Sequence, residues 1–142
     1  MKTNQHNKRI TMVITLHALC DCIESYSSDC NLKDLTGLAT DIRKEANRYG
    51  ENFANLSEYM LEELNDLNYN KRQLLPALCF VLYREASKLE ASFLQENSHS
   101  VYLQIETAKK IRDYFKGEFL SKEMIRKISE IFLEIRDKCF QC

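Results

Sequence analysis

Apolar residues recur at every third or fourth position through most of this chain, a spacing that predicts α-helices. No stretch of useful length alternates apolar and polar residues as a half-buried strand does. The best-kept pattern runs from Leu32 to Leu67 and holds its phase through Gly50. Because a loop normally resets the phase, we predict one long helix near 32–67, with Gly50 marking no more than a bend.

The first predicted helix, from about Lys8 to Tyr26, is apolar nearly all the way round. A helix of that kind is usually surrounded by others, so we place it at the centre of the fold. Residues 1–7 before it are polar and are predicted to form a disordered tail.

Three more helices follow the long one in this interpretation. Asn70 is a good N-cap for a helix that continues to about Glu96, and Ser121 is placed to cap the last helix. Between these two lies a fourth helix with one apolar stripe, which we predict to face the core. The stripe consists of Val101, Ile105, Ala108, Ile111 or Arg112, and Phe115.

Together these patterns give an all-α fold, an antiparallel helical bundle of about five helices that includes the long one near 32–67. The length of 142 residues suits a single helical-bundle domain, 1–142. Three Gly and one Pro provide few turns, which favours long helices over a sandwich or barrel. Twenty basic and 21 acidic residues leave almost no net charge, so binding to nucleic acid is unlikely.

An apolar run near the start of the chain has some features of a secretion signal. Lys8 and Arg9 precede the run over 10–22, but Thr15 and His17 interrupt it. No small-x-small cleavage site follows, and the run is too short to span a bilayer. We therefore interpret it as a buried helix and predict a cytoplasmic protein.

A secreted, cytokine-like helical ligand with disulfides is the main alternative. Six cysteines in a chain of this size can form three disulfides, and Asn55-Leu56-Ser57 fits a glycosylation sequon. The simpler interpretation is a set of reduced thiols inside a cell, where a buried Cys acts as a small hydrophobe.

The cysteines also suggest a second alternative, a metal-binding or redox protein. Cys20 and Cys22 lie near the end of the first helix, and Cys139 and Cys142 form a CxxC at the end of the last. In five alternating helices the first and last run parallel, so these ends would meet and could hold zinc. Against this, residues two apart on a helix diverge by about 200°. A redox CxxC also belongs at a helix N-terminus, the opposite end from this one.

Catalytic motifs are missing from the sequence. It has no G-x-S-x-G, no P-loop and no dinucleotide-binding fingerprint. Its three histidines lie in the first residues, on the apolar first helix and in a predicted turn, and the one Glu-x-x-His pair, Glu96 with His99, lacks the second pair that a di-iron bundle needs. We predict that the protein is not an enzyme and uses no cofactor.

Basic residues crowd the last predicted hairpin and give the one candidate binding site. Three of them share a face of the fourth helix, and two lie one turn apart at the start of the fifth, where cations oppose the helix dipole. Unfavourable charge placement of this kind hints at function. The candidate partner- or anion-binding residues are Lys109, Arg112, Lys116, Lys122 and Arg126.

These observations lead to a non-enzymatic, intracellular protein-interaction module, a regulator or adaptor that acts through its surface. The expected partner is another protein of unknown identity. An anionic membrane surface and a second copy of the chain, in a homodimer, are the alternative partners.

Overall fold

A computed structural model describes residues 2–26, 35–50, 54–115 and 121–140 of the chain. These residues are 89% helical and include no strand, which confirms the all-α helical bundle. No helix in the described part combines the length and the apolar character needed to cross a membrane. The helices are α1 (Lys2–Tyr26), α2 (Thr36–Arg48), α3 (Ala54–Asp66), α4 (Lys71–Ser87), α5 (Ala91–Glu96), α6 (Ser98–Tyr114) and α7 (Lys122–Phe140).

Helix α1 is the centre of the bundle, as its all-round apolar pattern predicts. It packs against α2, α3, α4, α6 and α7, and every residue from 10 to 20 is buried. Two hydroxyls enter the core because they bond within the helix: Thr11 donates to the carbonyl of Asn7 at 2.9 Å, and Thr15 to that of Met12 at 2.7 Å.

Residues 2–7, predicted as a disordered tail, instead form the first turns of α1. Side chains just after them tie the start of the helix to the bundle. The ammonium of Lys8 pairs with Glu90, and the guanidinium of Arg9 donates to the carbonyl of Tyr49. These contacts join distant parts of the chain, so the local polarity on which the prediction rested could not reveal them.

The predicted long helix near 32–67 is wrong, because the chain leaves the helical conformation at Gly50. Helix α2 ends at Arg48, and Gly50 has a φ of 71°, a value that glycine adopts without the steric cost other residues incur. Helix α3 begins at Ala54, while residues 51–53 lie outside the described ranges. The apolar phase continues across the break because α2 and α3 both pack against α1.

The break also changes the direction of later helices. Helix α2 runs back along α1, since Cys20 of α1 donates to the carbonyl of Ala39 at 3.2 Å and Arg9 reaches Tyr49. Helix α3 then runs parallel to α1, because Tyr26 at the end of α1 donates to Asn65 near the end of α3.

Helix α7 therefore runs opposite to α1, and the predicted parallel arrangement of first and last helices is wrong. Lys127 near the start of α7 lies over the ring of Tyr69, just beyond the end of α3. Lys138 near the end of α7 lies over the ring of Tyr59, near the start of α3. Because α7 runs against α3, it also runs against α1. One extra reversal at Gly50 accounts for the difference.

A second break divides the helix predicted to reach Glu96. Helix α4 ends at Ser87, and Glu90 has an extended backbone, with ψ of 147°, before α5 begins. No Gly or Pro marks this break in the sequence.

Both predicted N-caps are confirmed. The side chain of Asn70 accepts a hydrogen bond from the amide of Arg72 at 2.9 Å, and the hydroxyl of Ser121 accepts one from Met124 at 3.3 Å. The caps fix where α4 and α7 begin. The hydrophobic core between the helices draws on all seven of them.

Candidate functional site

The face of α6 that points into the bundle matches the predicted one only in part, because Ile111 and Phe115 are buried as predicted. Val101, Ile105 and Ala108 of the predicted stripe are only half-buried. Polar side chains lie in the core in their place, and hydrogen bonds offset the cost of burying them. Thr107, for example, donates to the carbonyl of Leu103 at 2.7 Å. The buried residues of α6 are Ser100, Leu103, Gln104, Thr107 and Ile111.

Most of the apolar stripe of α6, from Ile105 to Phe115, lines an open groove between α4 and α6, with a volume of about 460 Å³. Ala108 lies midway along this stripe, and its short side chain leaves space that a larger residue would fill. Helix α4 contributes Pro76, Cys79, Phe80 and Tyr83, and α6 contributes Ile105, Ala108, Lys109, Ile111, Arg112 and Phe115.

Two aromatic side chains stand at the α4 side of this α4–α6 groove. Phe80 and Tyr83 are 42% and 41% exposed, although most large apolar side chains in the described ranges are buried. They lie one turn apart on the helix, so they form one apolar patch. Exposed aromatic groups beside a groove are the kind of residue that contributes most to binding energy at protein interfaces.

The α6 side of the groove carries positive charge. Lys109 and Arg112 line it, and both are well exposed. Their ion pairs are long and stay within α6, with Glu106 at 4.0 Å and Asp113 at 3.7 Å. At the far end of the groove, the guanidinium of Arg72 lies 5.8 Å from the centre of the Phe115 ring.

The sequence contained a signal for this groove that the single-stripe interpretation of α4 missed. Pro76, Cys79 and Tyr83 step by three and four residues and form a second apolar stripe beside the core-facing one. A helix with two apolar stripes must cover both or expose one. Of the predicted site residues, the groove brings together Lys109 and Arg112.

The other predicted basic residues lie elsewhere. Lys122 and Arg126 are exposed on the first turns of α7, and Lys116 falls outside the described residues. Arg126 pairs with Glu130 at 2.8 Å. Both residues of this pair lie on α7, and their attraction offsets part of the unfavourable interaction between Arg126 and the helix dipole, which was the reason for the prediction. An anion-binding role for these two residues stays a prediction.

Cys79 lies at the floor of the groove and is buried. Burial raises the pKa of its thiol far above the ordinary value, and the pKa of Cys22 is raised in the same way. The two thiols are close enough for charge on Cys79 to raise the pKa of Cys22 further. Both therefore stay protonated at neutral pH, and neither is an activated nucleophile.

The cysteines predicted as zinc ligands do not assemble in the described part of the chain. Cys20 points toward α2, where it donates to a backbone carbonyl, whereas Cys22 lies near Cys79 of α4. Cys139 joins no ligand group with them, and Cys142 lies outside the described residues. Cys20, Cys22, Cys79 and Cys139 are all reduced thiols.

One group of possible metal ligands occurs in the described ranges, formed by Cys20, Asp21 and Glu24. The guanidinium of Arg43 already lies between the two carboxylates, 2.7 Å from Asp21 and 2.8 Å from Glu24. Burial raises the pKa of Cys20 to about 12, so this ligand is a neutral thiol. The arrangement is an ion-pair network that joins α1 to α2.

A Ser, His and Glu also meet at the start of α6, but their geometry does not suit catalysis. Ser100 donates to Glu45 at 2.8 Å, whereas His99 lies 3.7 Å from the other oxygen of that carboxylate. A nucleophilic Ser needs a hydrogen bond to the base and access to substrate, and Ser100 is completely buried. Tyr49 completes the network by donating to Asn97 at 2.8 Å.

Comparison with known proteins gives no relative from which a function could be carried over. No family model matches the chain, and neither a curated protein nor a solved structure does so. The α4–α6 groove is thus the site on which a functional interpretation depends.

Proposed function

We propose that this chain is a non-enzymatic protein-interaction module, a regulator or adaptor, that binds a helical segment of a partner protein in the α4–α6 groove. The observation that carries this proposal is the pair of exposed aromatics, Phe80 and Tyr83, beside an apolar channel. Exposure of aromatic surface to water is unfavourable in free energy, and a partner that covers this surface gains stability for the complex.

The shape of the groove favours a helix as its occupant. It lies between two helices, and its α6 wall runs from Ile105 to Phe115. Ten residues of helix correspond to about 15 Å, or roughly three turns. A partner helix with apolar residues at positions i, i+3, i+4 and i+7 would place one contact in each turn of this channel.

The chemistry of the lining also favours binding over catalysis. Its side chains are mainly apolar, and the nucleophile among them, Cys79, keeps its proton because burial raises its pKa. Reduced thiols at the four described cysteines support a role inside a cell rather than as a disulfide-bonded ligand.

The test compares two substitutions of the same kind at two positions. Ala108→Trp fills the middle of the groove, whereas Ala91→Trp adds the same side chain at an exposed site on α5, outside the groove lining. A displayed library of amphipathic peptides of about 16 residues, long enough to form helices, is selected against the unaltered protein. Binding of the selected peptides is then measured against each variant by fluorescence anisotropy.

We expect peptides that bind the unaltered protein and Ala91→Trp alike, and Ala108→Trp at least about tenfold more weakly, as the loss of one central contact predicts. Circular dichroism confirms that both variants keep their helix content. Peptides that bind all three proteins equally, or a library that yields no binder, would overturn the proposal.

A further inference from the structure

We infer that the helix bound in the α4–α6 groove is acidic along the edges of its apolar face. This inference rests on the proposed function and adds the chemistry of the partner to it. The apolar part of the lining discriminates little between one hydrophobic helix and another. Charged side chains at the groove are therefore what select the partner.

The lining residues of α6 include two cations, Lys109 and Arg112, but neither of the acids that pair with them. Glu106 and Asp113 lie outside the lining on the same helix. An occupant of the groove therefore meets the two positive groups before it meets the negative ones.

The ion pairs of these two cations are weak enough for acids of a bound helix to replace the present partners. The Lys109–Glu106 and Arg112–Asp113 distances are 4.0 and 3.7 Å, and the side chains of the two cations are 57% and 75% exposed. Exposed pairs of this kind contribute little to the stability of a fold. Carboxylates of a bound helix can replace them without cost to the bundle.

One cation of α4 lies beside the groove, although it is not part of the lining. The guanidinium of Arg84 lies 5.9 Å from the centre of the Phe80 ring. Its nearest acid, Glu85, is buried and lies within 4 Å of cationic groups from Arg84, Lys88 and Arg136. Arg84 also donates to the hydroxyl of Ser129 on α7 at 2.6 Å, so the cations that line the groove itself are Lys109 and Arg112.

The spacing of the cations sets the spacing of the acids that they fit. Lys109 and Arg112 are one turn apart on α6, so they match acids one turn apart, at i and i+3 or i+4, on a helix lying alongside. Those acids belong beside the apolar stripe of the partner, where they reach the cations while the stripe fills the groove.

The experiment uses three synthetic peptides with the same leucine stripe, long enough to form a helix. The flanking positions carry Glu in the first, Gln in the second and Lys in the third. Each is titrated against the unaltered protein, against Lys109→Glu with Arg112→Glu, and against the neutral pair Lys109→Gln with Arg112→Gln. A matched reversal on α7, Lys122→Glu with Arg126→Glu, changes the same charge outside the groove lining.

We expect the Glu peptide to bind the unaltered protein about tenfold more tightly than the Lys peptide, with a difference that shrinks as salt is raised. Reversal at Lys109 and Arg112 should invert the preference, and the neutral pair should abolish it. The reversal at Lys122 and Arg126 should leave the preference in place.

The outcomes separate this inference from the proposed function. If all three peptides bind equally and Ala108→Trp blocks them, the groove is a helix site and the acidic partner is wrong. If Lys122→Glu with Arg126→Glu removes the preference, the acids contact α7 and the inference is again wrong. If none of the peptides binds, the proposed function fails too. Binding of anionic liposomes that Ala108→Trp leaves unchanged would place the role of the cations at a membrane surface and would also overturn the inference.

Discussion

Two helix pairs in this bundle have similar cores but different edges. Helices α1 and α2 meet in a closed seam, with Cys20, Ala39 and Ile42 buried along it. Helices α4 and α6 also pack together, yet their seam opens into the groove that exposes Phe80 and Tyr83. The closed seam belongs to the structural centre of the molecule, and the open one is its candidate binding surface.

The polar residues at the edges explain the difference. At the closed seam, Arg43 of α2 reaches across to Asp21 and Glu24 of α1, and Arg9 of α1 reaches the backbone of α2. At the open seam, Lys109 and Arg112 pair with acids of their own helix. Charges that bond across a seam hold its rim together, whereas charges that bond along one helix leave the rim available to a partner.

The largest expected contrast is in the cost of removing an apolar side chain from each seam. Ile42→Ala in the closed seam should lower the free energy of unfolding by about 2–5 kcal/mol, because the residue is fully buried and leaves a cavity. Phe80→Ala in the open seam should cost less than about 1 kcal/mol, since much of the ring already contacts water. Urea denaturation of both variants checks this, and equal losses would show that the groove is part of the core.

A second contrast concerns how stability depends on alkaline pH, through one buried thiol at each seam. Burial raises the pKa of Cys20 to about 12 from the ordinary 9.0, and that of Cys79 higher still. Above pH 9 the unfolded chain loses thiol protons that the folded chain keeps, so stability should fall by up to about 1.4 kcal/mol per pH unit for each thiol.

Variants identify which thiols cause this loss. Cys20→Ala and Cys79→Ala should each flatten the dependence of the urea midpoint on pH above 9, whereas Thr40→Ala, at an exposed hydroxyl on α2, should not. If Cys79→Ala keeps the full slope, water reaches the groove floor, and the two seams differ in depth as well as at their edges.

The smallest contrast concerns the break at Gly50, which separates α2 from α3. Gly50→Ala should lower the free energy of unfolding by about 1 kcal/mol, because the added Cβ is strained at a φ of 71°. Gly37→Ala, inside α2, should raise it by up to about 1 kcal/mol through better helix propensity. An added Cβ meets nothing within 4 Å at either site, so only backbone conformation separates the two. Stabilisation by both substitutions would mean that the chain is helical through Gly50.

The sequence was sufficient wherever local chemistry decides the structure. The all-round apolar pattern of α1 and the caps at Asn70 and Ser121 depend on residues within a turn or two of each other, and they were predicted correctly. The break at Gly50 was not, because two successive helices packed on one central helix carry apolar stripes that stay in phase by coincidence of loop length. The break at Glu90 involves a contact with Lys8, which lies far away in the chain.

The candidate site was half predictable for a related reason. Lys109 and Arg112 were found from their spacing, but the apolar stripe beside them was assigned to the core. The buried face of α6 contains Ser100, Gln104 and Thr107, and each donates a hydrogen bond to a group on the same or a neighbouring helix, which offsets part of the loss of water. Hydrophobicity alone places such residues outside, so the predicted inward face of α6 includes Val101, Ile105 and Ala108, which are only half-buried.

The open seam also has a consequence for the rate of binding. Because the α4–α6 groove is open at the surface, the proposed partner helix would meet its site with no prior opening step to slow the encounter. The association rate constant should be about 10⁵–10⁷ per molar per second or higher. The upper end is expected because Lys109 and Arg112 attract an acidic helix toward the groove. Differences in affinity among such helices would then lie in how long each stays bound, which the fit of its apolar side chains between Phe80 and Ala108 decides.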